Sequence, residues 1–445
     1  MGDPATKLTV VRNAAEDGFI SAWAARRDAL PGDATVAKAR TEAMARFEAH
    51  GLPNRRVEEW KYTDLRAAIK EALPLSDDDD ASVQAVETAI APLLATGAAR
   101  MTLVDGHYAP NLSNPETAGD AVLVTPLASA LEDDAFAAAH AHLPTVPQHD
   151  TTVALNTALM TDGVAIHVQA TPERPLHIVH VMKAGTPALA VTRNVLSVAD
   201  GVSVTLIETY VSLEEAGAQV NSVTQVGVGA NANVRHVKLQ AENRDSTHLA
   251  SWVVDLAASA NYQAVQMTIG GALTRNQVYL TFNGPDAEAH INGAYLQRGN
   301  QHCDTTLVID HIHPGCTSRE TFKGVLDDQA RGVFQGKIMV KPEAQKTDGK
   351  QMAQALLLSE EAEFDSKPEL EIFADDVVCG HGSTSGAIDD ELLFYLRARG
   401  IPEKKARALL VQAFVGEALE LIEDEEELHG ALMALAAEWL DPKST

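Results

Sequence analysis

The sequence predicts a mainly β protein, with a β-solenoid core between two helical regions. Three observations predict it. Short runs that alternate apolar and polar residues, rich in Val, Ile and Thr, follow one another from about residue 151. No helix-period segment separates them, which argues against alternating strand and helix. A small or polar turn recurs before an alternating run, as in Ala199-Asp200-Gly201, Gly229-Ala230-Asn231, Ala258-Ser259-Ala260-Asn261, Gly284-Pro285-Asp286, Asp327-Asp328-Gln329 and Glu360-Glu361-Ala362. These turns lie about 26 to 43 residues apart, a loose period with no shared sequence. A large antiparallel sandwich is the competing arrangement.

The elements follow in order. Residues 1–80 form an N-terminal helical region, with helices expected over 35–50 and, after the breaker Gly51-Leu52-Pro53-Asn54, over 58–72. Residues 81–150 mix short signals with prolines at 92, 110, 115, 126, 144 and 147, a linker or small α/β adaptor. The core spans 151–388. Its strands are expected at 163–168, 176–182, 188–198, 202–210, 220–228, 232–240, 249–256, 262–269, 276–282, 287–296, 304–311, 333–340 and 370–378. A C-terminal helical domain occupies 389–445. Its first helix ends at Gly400, and Pro402 opens a second. In that second helix Ala406, Leu409, Leu410, Ala413, Phe414, Ala418, Leu421 and Ile422 fall close to one stripe. A third helix covers 428–440.

Composition narrows the function. The chain of 445 residues has a formal net charge of −27, which argues against nucleic acid and anionic membrane as partners. The acidic runs at 77–80 and 423–427 read as solvated faces. Met1-Gly2-Asp3-Pro4 does not begin a signal peptide, and no apolar run is long enough to span a bilayer. Three separated cysteines make no disulfide framework, so a cytoplasmic protein with reduced thiols is expected.

The candidate chemistry centres on Cys379-Gly380-His381. Alternate residues of a strand share a face, roughly 6.5–7 Å apart, so a thiolate and an imidazole here can reach one soft metal ion. Two ligands do not complete a zinc site, and the same pair also suits a half-buried thiol beside a backbone-bonded histidine. A second cluster, His302-Cys303 followed by His311, His313 and Cys316, gathers soft ligands around the turn Pro314-Gly315. Its spacing matches no zinc or iron–sulfur signature, and structural use is the plainer reading. Gln335-Gly336-Lys337-Ile338 lacks the upstream glycine and the hydroxyl of a P-loop, so no nucleotide is expected on this chain. No Gly-x-Ser-x-Gly elbow and no His-Glu-x-x-His is present. A β-helix enzyme that cleaves carbohydrate needs paired carboxylates, whereas the strands here present mostly Val, Thr, Asn and His.

Longer motifs carry a resemblance. Val57-Glu58-Glu59-Trp60-Lys61-Tyr62-Thr63-Asp64-Leu65 resembles the N-terminal signature of the SufB/SufD family of iron–sulfur assembly scaffolds, and Leu155-Asn156-Thr157-Ala158-Leu159-Met160-Thr161-Asp162-Gly163 resembles the start of their core. Cys316-Thr317-Ser318-Arg319-Glu320, Lys323-Gly324-Val325-Leu326-Asp327-Asp328 and Gly332-Val333-Phe334-Gln335-Gly336-Lys337-Ile338 resemble the late coils. Lys346-Thr347-Asp348-Gly349-Lys350-Gln351, Pro368-Glu369-Leu370-Glu371-Ile372 and Phe394-Tyr395-Leu396-Arg397-Ala398-Arg399-Gly400-Ile401 continue in order. The resemblance covers nearly the whole chain. Within the family, Cys379-Gly380-His381 is similar to the SufD-type pattern, whereas SufB-type members carry a Glu-His-Glu pattern there.

The resemblance implies a right-handed parallel β-helix flanked by helices. It implies a scaffold without turnover of its own, paired with a SufB-type paralogue and a SufC-type ABC ATPase that supplies the missing P-loop. Cys379 and His381 become candidate ligands for iron or a transient iron–sulfur cluster at the shared interface, with the remaining ligands from the partner. His311, His313 and Cys316 stay secondary metal candidates. Phe394, Tyr395, Arg397, Leu409, Leu410 and Phe414 become candidates for docking the ATPase. A carbohydrate-active β-helix enzyme and a purely structural partner are the rival readings, and an exposed end strand also allows a homodimer of the isolated chain.

Overall fold

The computed structural model describes residues 12–77, 81–143, 145–183, 187–213 and 217–440. Met1 to Pro4, the acidic residues Asp78, Asp79 and Asp80, Pro144 and the end of the C-terminal region lie outside the described residues. The first helices are α1 (Ala14–Arg26), α2 (Ala34–His50), the single turn α3 (Leu65–Ala68) and α4 (Val83–Ala89). Strands β1 (Ala99–Val104), β2 (His107–Tyr108) and β3 (Val122–Pro126) come next, followed by α5 (Leu127–Ala130), α6 (Asp134–His140) and α7 (Thr151–Leu159).

The solenoid strands are β4 (Val164–Val168), β5 (Leu176–Met182), β6 (Leu189–Val198), β7 (Ser203–Ser212), β8 (Gln219–Val228), β9 (Asn233–Ala241), β10 (Thr247–Leu256) and β11 (Asn261–Thr268). They continue as β12 (Leu273–Phe282), β13 (Glu288–Gln297), β14 (His302–His311), β15 (Thr317–Leu326), β16 (Arg331–Val340), β17 (Asp348–Leu357), β18 (Glu363–Ile372) and β19 (Val378–Gly386). Helices α8 (Asp390–Ala398), α9 (Glu403–Leu419) and α10 (Glu426–Leu440) close the chain.

Successive strands alternate between two sheets. One runs β19-β17-β15-β13-β11-β9-β7-β5-β1-β2 and the other β18-β16-β14-β12-β10-β8-β6-β4-β3. Every pairing from β4 onward is parallel, and the two antiparallel pairs, β1–β2 and β3–β4, close the N-terminal end. The expected solenoid is therefore present, with about seven turns, and the sandwich is excluded. Residues 81–150 supply the first strand of one sheet and the cap of the other, because β1 pairs with β5 and β3 with β4.

One corner explains the recurring turns. Gly201, Asn231, Ser259, Asp286, Gly315 and Lys346 all have positive φ, and each donates its N–H to a carbonyl of the next coil, from Ala230 through to Asp376. Small and polar residues recur there because a left-handed backbone is costly for most others. Asp327, Asp328, Glu360 and Glu361 belong to a different corner, where Gly299 N–H donates to Asp328 and Gln329 to Glu361. Mixing the two corners made the sequence period look loose.

The solenoid interior is apolar along one side, where Val198, Val228, Leu256, Phe282, His311, Val340 and Ile372 form one file. The two outer faces are clad by helices. The N-terminal helices pack Phe19, Phe47, Trp60, Leu155 and Leu159 against Leu189, Val191, Val195, Leu249 and Leu273. Val411, Val415, Ala418, Leu432 and Trp439 of the C-terminal helices cover Ile207, Val237, Val265, Ala294 and Val325.

Two expectations need correction. No helix covers 58–72: after a single 3-10 turn at Glu58–Trp60 the chain forms only the short α3, because Trp60 and Thr63 are drawn onto the solenoid. Trp60 is buried under the Arg275 guanidinium at 4.1 Å. The Thr63 hydroxyl donates to Asp304 and accepts from His302 Nε2 at 2.8 Å. The run 370–378 is also not one strand. It is the end of β18, a turn through Asp375 and Asp376, and the first residue of β19.

Candidate functional site

Strand β19 is the last of its sheet and pairs only with β17 among the described residues, while β18 pairs only with β16. Both edges are open, and the apolar residues Ile372, Phe373, Val378 and Met352 are exposed there, Phe373 to 61% and Val378 to 60%. Cys379 pairs in register with Gly349 and His381 with Gln351. Gly349 and Gln351 are buried, facing the interior, so Cys379 and His381 share the inward face of the last coil. Cys379 packs partly against the interior core, whereas His381 is exposed because no further coil covers it.

Two inward files end at this pair. One reads Tyr262, Ala289, Ser318, Gly349, Cys379, and the other His236, Ala264, Ile291, Glu320, Gln351, His381. The polar residues gather toward the open end. Burial pushes the Cys379 thiol up, and the charge of Asp348 pushes the same way. In the isolated chain Cys379 is therefore a thiol, and a cation is needed to make it a ligand.

The second cluster disperses. His311 is buried in the apolar file, stacked 4.3 Å from Phe282, with Nε2 3.2 Å from the Ser318 hydroxyl. Burial alone lowers its pKa to about 3. Cys316 is buried, its Sγ–H directed at the Gly284 carbonyl at 3.4 Å, and burial raises its pKa. His313 sits in the corner turn, half-buried. Among the described residues no group of three or more His, Cys, Asp or Glu is placed to hold a metal ion.

The C-terminal candidates divide by what they touch. Phe394 is 71% exposed; Tyr395, Arg397 and Leu409 are also exposed, and Arg397 pairs with Glu403 at 3.5 Å. Leu410 and Phe414 instead pack inward, with Lys323 Nζ 4.4 Å from the Phe414 ring. Ala406 and Ala418 of the stripe read from sequence are buried in α9, but so are Val411, Val415 and Leu419, which it missed because the face that packs is rotated toward them. No helix among the described residues is long and apolar enough to cross a membrane.

Sequence reasoning also missed an interior polar cluster. Burial pushes Glu208 up, but His236 at 3.4 Å, together with the Thr224 hydroxyl, outweighs it and holds the carboxyl down to about 2; Trp252 Nε1 donates to it at 2.9 Å. Lys238 donates to His248 Nε2 and Asn276 Oδ1, each at 2.8 Å, and His248 Nδ1 lies 2.8 Å from Glu242. Burial lowers Lys238 to about 8. The signal was present in the alternation of β9, where His236, Lys238 and Gln240 share the inward face with Val234.

These features define a helix-clad parallel β-solenoid, closed at its N-terminal end and open at its C-terminal end. Residues 180–414 match the family described as SUF system FeS cluster assembly, SufBD core domain, and residues 14–178 match the SufBD protein N-terminal region. The chain belongs to the SufB/SufD family, in its SufD-type branch. It is 35% identical to the iron–sulfur cluster assembly protein SufD of Escherichia coli (strain K12), over 84% of this chain and 86% of that one. It is 28% identical to an iron–sulfur cluster assembly SufBD family protein of Synechocystis sp., over 83% of this chain and 84% of that one. The iron–sulfur cluster assembly protein SufD of Bacillus subtilis (strain 168) is 30% identical over 61% of this chain and 62% of its own.

Proposed function

We propose that this chain is a non-catalytic scaffold subunit of an iron–sulfur assembly complex. It pairs through its open solenoid end with a SufB-type subunit and docks a SufC-type ATPase on its C-terminal helices. The observation that carries the reading is the position of Cys379 and His381, on the inward face of a last strand that is paired along one edge only. An open edge presents free N–H and C=O groups to a second strand. The exposed Ile372, Phe373 and Val378 add apolar area to bury there. Iron is cargo at this junction. A thiolate and an imidazole suit it, and two ligands leave coordination positions for the partner's residues. The exposed Phe394, Tyr395, Arg397 and Leu409 form the surface offered to the ATPase.

Co-expression with SufB-type and SufC-type subunits tests the pairing. A Val378→Asp chain loses the SufB-type subunit and keeps the ATPase, whereas a Phe394→Glu chain does the reverse. Retention of both subunits by both variants contradicts the assignment of surfaces.

A further inference from the structure

We propose that Glu320 is the interior counter-charge for the cation held at Cys379 and His381, a carboxylate kept beneath the open end of the solenoid. The inference rests on the reading of that pair as cation ligands.

Its position comes first. Glu320 in β15 stands in register with Gln351 in β17, and Gln351 with His381 in β19, so the three form one inward file. Neighbouring strands are about 4.8 Å apart, which puts Glu320 roughly 10 Å of backbone beneath His381. Gln351 lies between, donating through Nε2 to the carbonyls of Gly336 and Glu369. Glu320 is thus a positioning residue and not a ligand.

Its isolation comes second. Glu320 is 2% exposed, and among the described residues neither carboxylate oxygen has a geometrically formed hydrogen bond. The Ser318 hydroxyl, two residues earlier on the same face, bonds His311 Nε2 and favours the carboxylate only in part. Arg319, on the opposite face of the strand, is paired with Asp348. The nearest residues of its file, Ile291 and Gln351, are uncharged, as are Phe334 and Ile338 across the interior. A buried acid without a partner destabilises a fold, and an apolar or amide side chain of equal size avoids that cost. The missing partner is supplied from outside the chain when a cation arrives at the open end.

The electrostatics agree. Burial raises the Glu320 carboxyl to about 8 against the opposing pull of the Ser318 hydroxyl and the Arg319 charge, so the empty chain keeps it neutral. A divalent ion at the end of the file favours the carboxylate. The carboxyl O–H bond then breaks, its proton leaves to solvent, and the electron pair stays as the negative charge that holds the ion. No redox step is involved. The groups that face this exchange are Cys379, His311 through Ser318, and the Arg319–Asp348 pair.

The test uses the complex co-expressed with its SufB-type and SufC-type subunits, titrated with ferrous ion against a chromophoric chelator across about pH 6.5 to 8.5, with proton release recorded. Glu320→Gln is expected to weaken ferrous affinity about tenfold, the equivalent of one pKa unit of lost interaction, and to release fewer protons per ion. Glu320→Asp restores both. Unchanged affinity and proton release in Glu320→Gln, in a complex where His381→Ala loses iron, overturns the counter-charge role. A Glu320→Asp complex as defective as Glu320→Gln, or a Glu320→Gln complex that fails to assemble while Glu320→Met assembles and binds ferrous ion normally, overturns it as well. If His381→Ala itself binds ferrous ion normally, the underlying ligand reading falls instead.

Discussion

The guanidinium of Arg275 lies 4.1 Å above the indole of Trp60, and this contact fastens the N-terminal segment across the solenoid. Arg275 also donates to the Glu59 carbonyl at 2.8 Å and pairs with Asp304, which takes the Thr63 hydroxyl as well. Farther along, Gln335 donates to the same Glu59 carbonyl, and Lys367 of β18 pairs with Glu58 at 2.6 Å. The segment is a strap over β12, β14, β16 and β18. Replacing Asp304 with Ala leaves a fully buried Arg275 uncompensated, so it costs about 3 kcal/mol or more. Thr63→Ala costs about 1 kcal/mol. Denaturant midpoints with an unchanged m-value check both.

Gly163 ends the motif that opens the core. Its φ is +155°, and a Cβ there meets the Arg193 carbonyl oxygen at 1.8 Å, so the backbone of β6 has to move. Asn156 and Arg193 sit in the same junction: the Asn156 amide donates to Thr192 and Asn221 carbonyls, and Arg193 donates to Asn156 Oδ1. Gly163→Ala is expected to lower stability by about 3 kcal/mol, as overpacking and strain do together. A loss below about 1 kcal/mol on thermal or chemical unfolding contradicts this close approach.

Stability depends on pH in two opposite ways. Burial lowers His177 and His311 to about 3 and His180 to about 4, so the unfolded chain binds more protons below its histidine pKa near 6.5. Stability from these groups is therefore lost as pH falls from about 6.5 toward 4. Glu320, raised to about 8, acts in reverse: it is protonated when folded, and its contribution is lost as pH rises from about 4.5 through 8. His311→Asn should flatten the acid limb of a Tm–pH profile, and Glu320→Gln should flatten the alkaline limb. Profiles that stay parallel to wild type contradict these assignments.

The C-terminal helices separate residues that pack inward from the exposed surface proposed for docking. Phe414 faces the solenoid under Lys323, so Phe414→Ala lowers stability by about 2 kcal/mol. Phe394 is exposed, so Phe394→Ala changes stability by less than about 0.5 kcal/mol while weakening recovery of the ATPase. A stability loss at Phe394 equal to that at Phe414 contradicts the division.

Most of the solenoid was legible because its middle strands are buried on both faces. β5 and the stretch from β6 to β13 read as runs of Val, Ile and aromatic residues, and their bounds differ from the expected ones by a few residues. β15, β17 and the first half of β18 were invisible: Thr317, Arg319, Asp348, Lys350, Glu363 and Lys367 face solvent or the strap, so the apolar signal is thin. The strap was misread as a helix because Glu, Lys, Leu and Ala favour one locally, and tertiary contacts to Arg275 and Asp304 override that preference. The expected strand stopped at residue 378 and so did not place Cys379 and His381 on β19; only their shared face, given a strand, followed from their spacing. Glu320 was not legible, since a lone acid in a polar strand gives no sign of facing inward.

The most direct measurement is the iron and acid-labile sulfide content of the complex purified with its SufB-type and SufC-type partners, comparing wild type with Cys379→Ser and His381→Ala. The account predicts that both contents fall in these variants while all three subunits are recovered in equal amounts. Full cluster content in both variants, with the complex intact, contradicts a ligand role at the open end and leaves the chain as a structural partner alone.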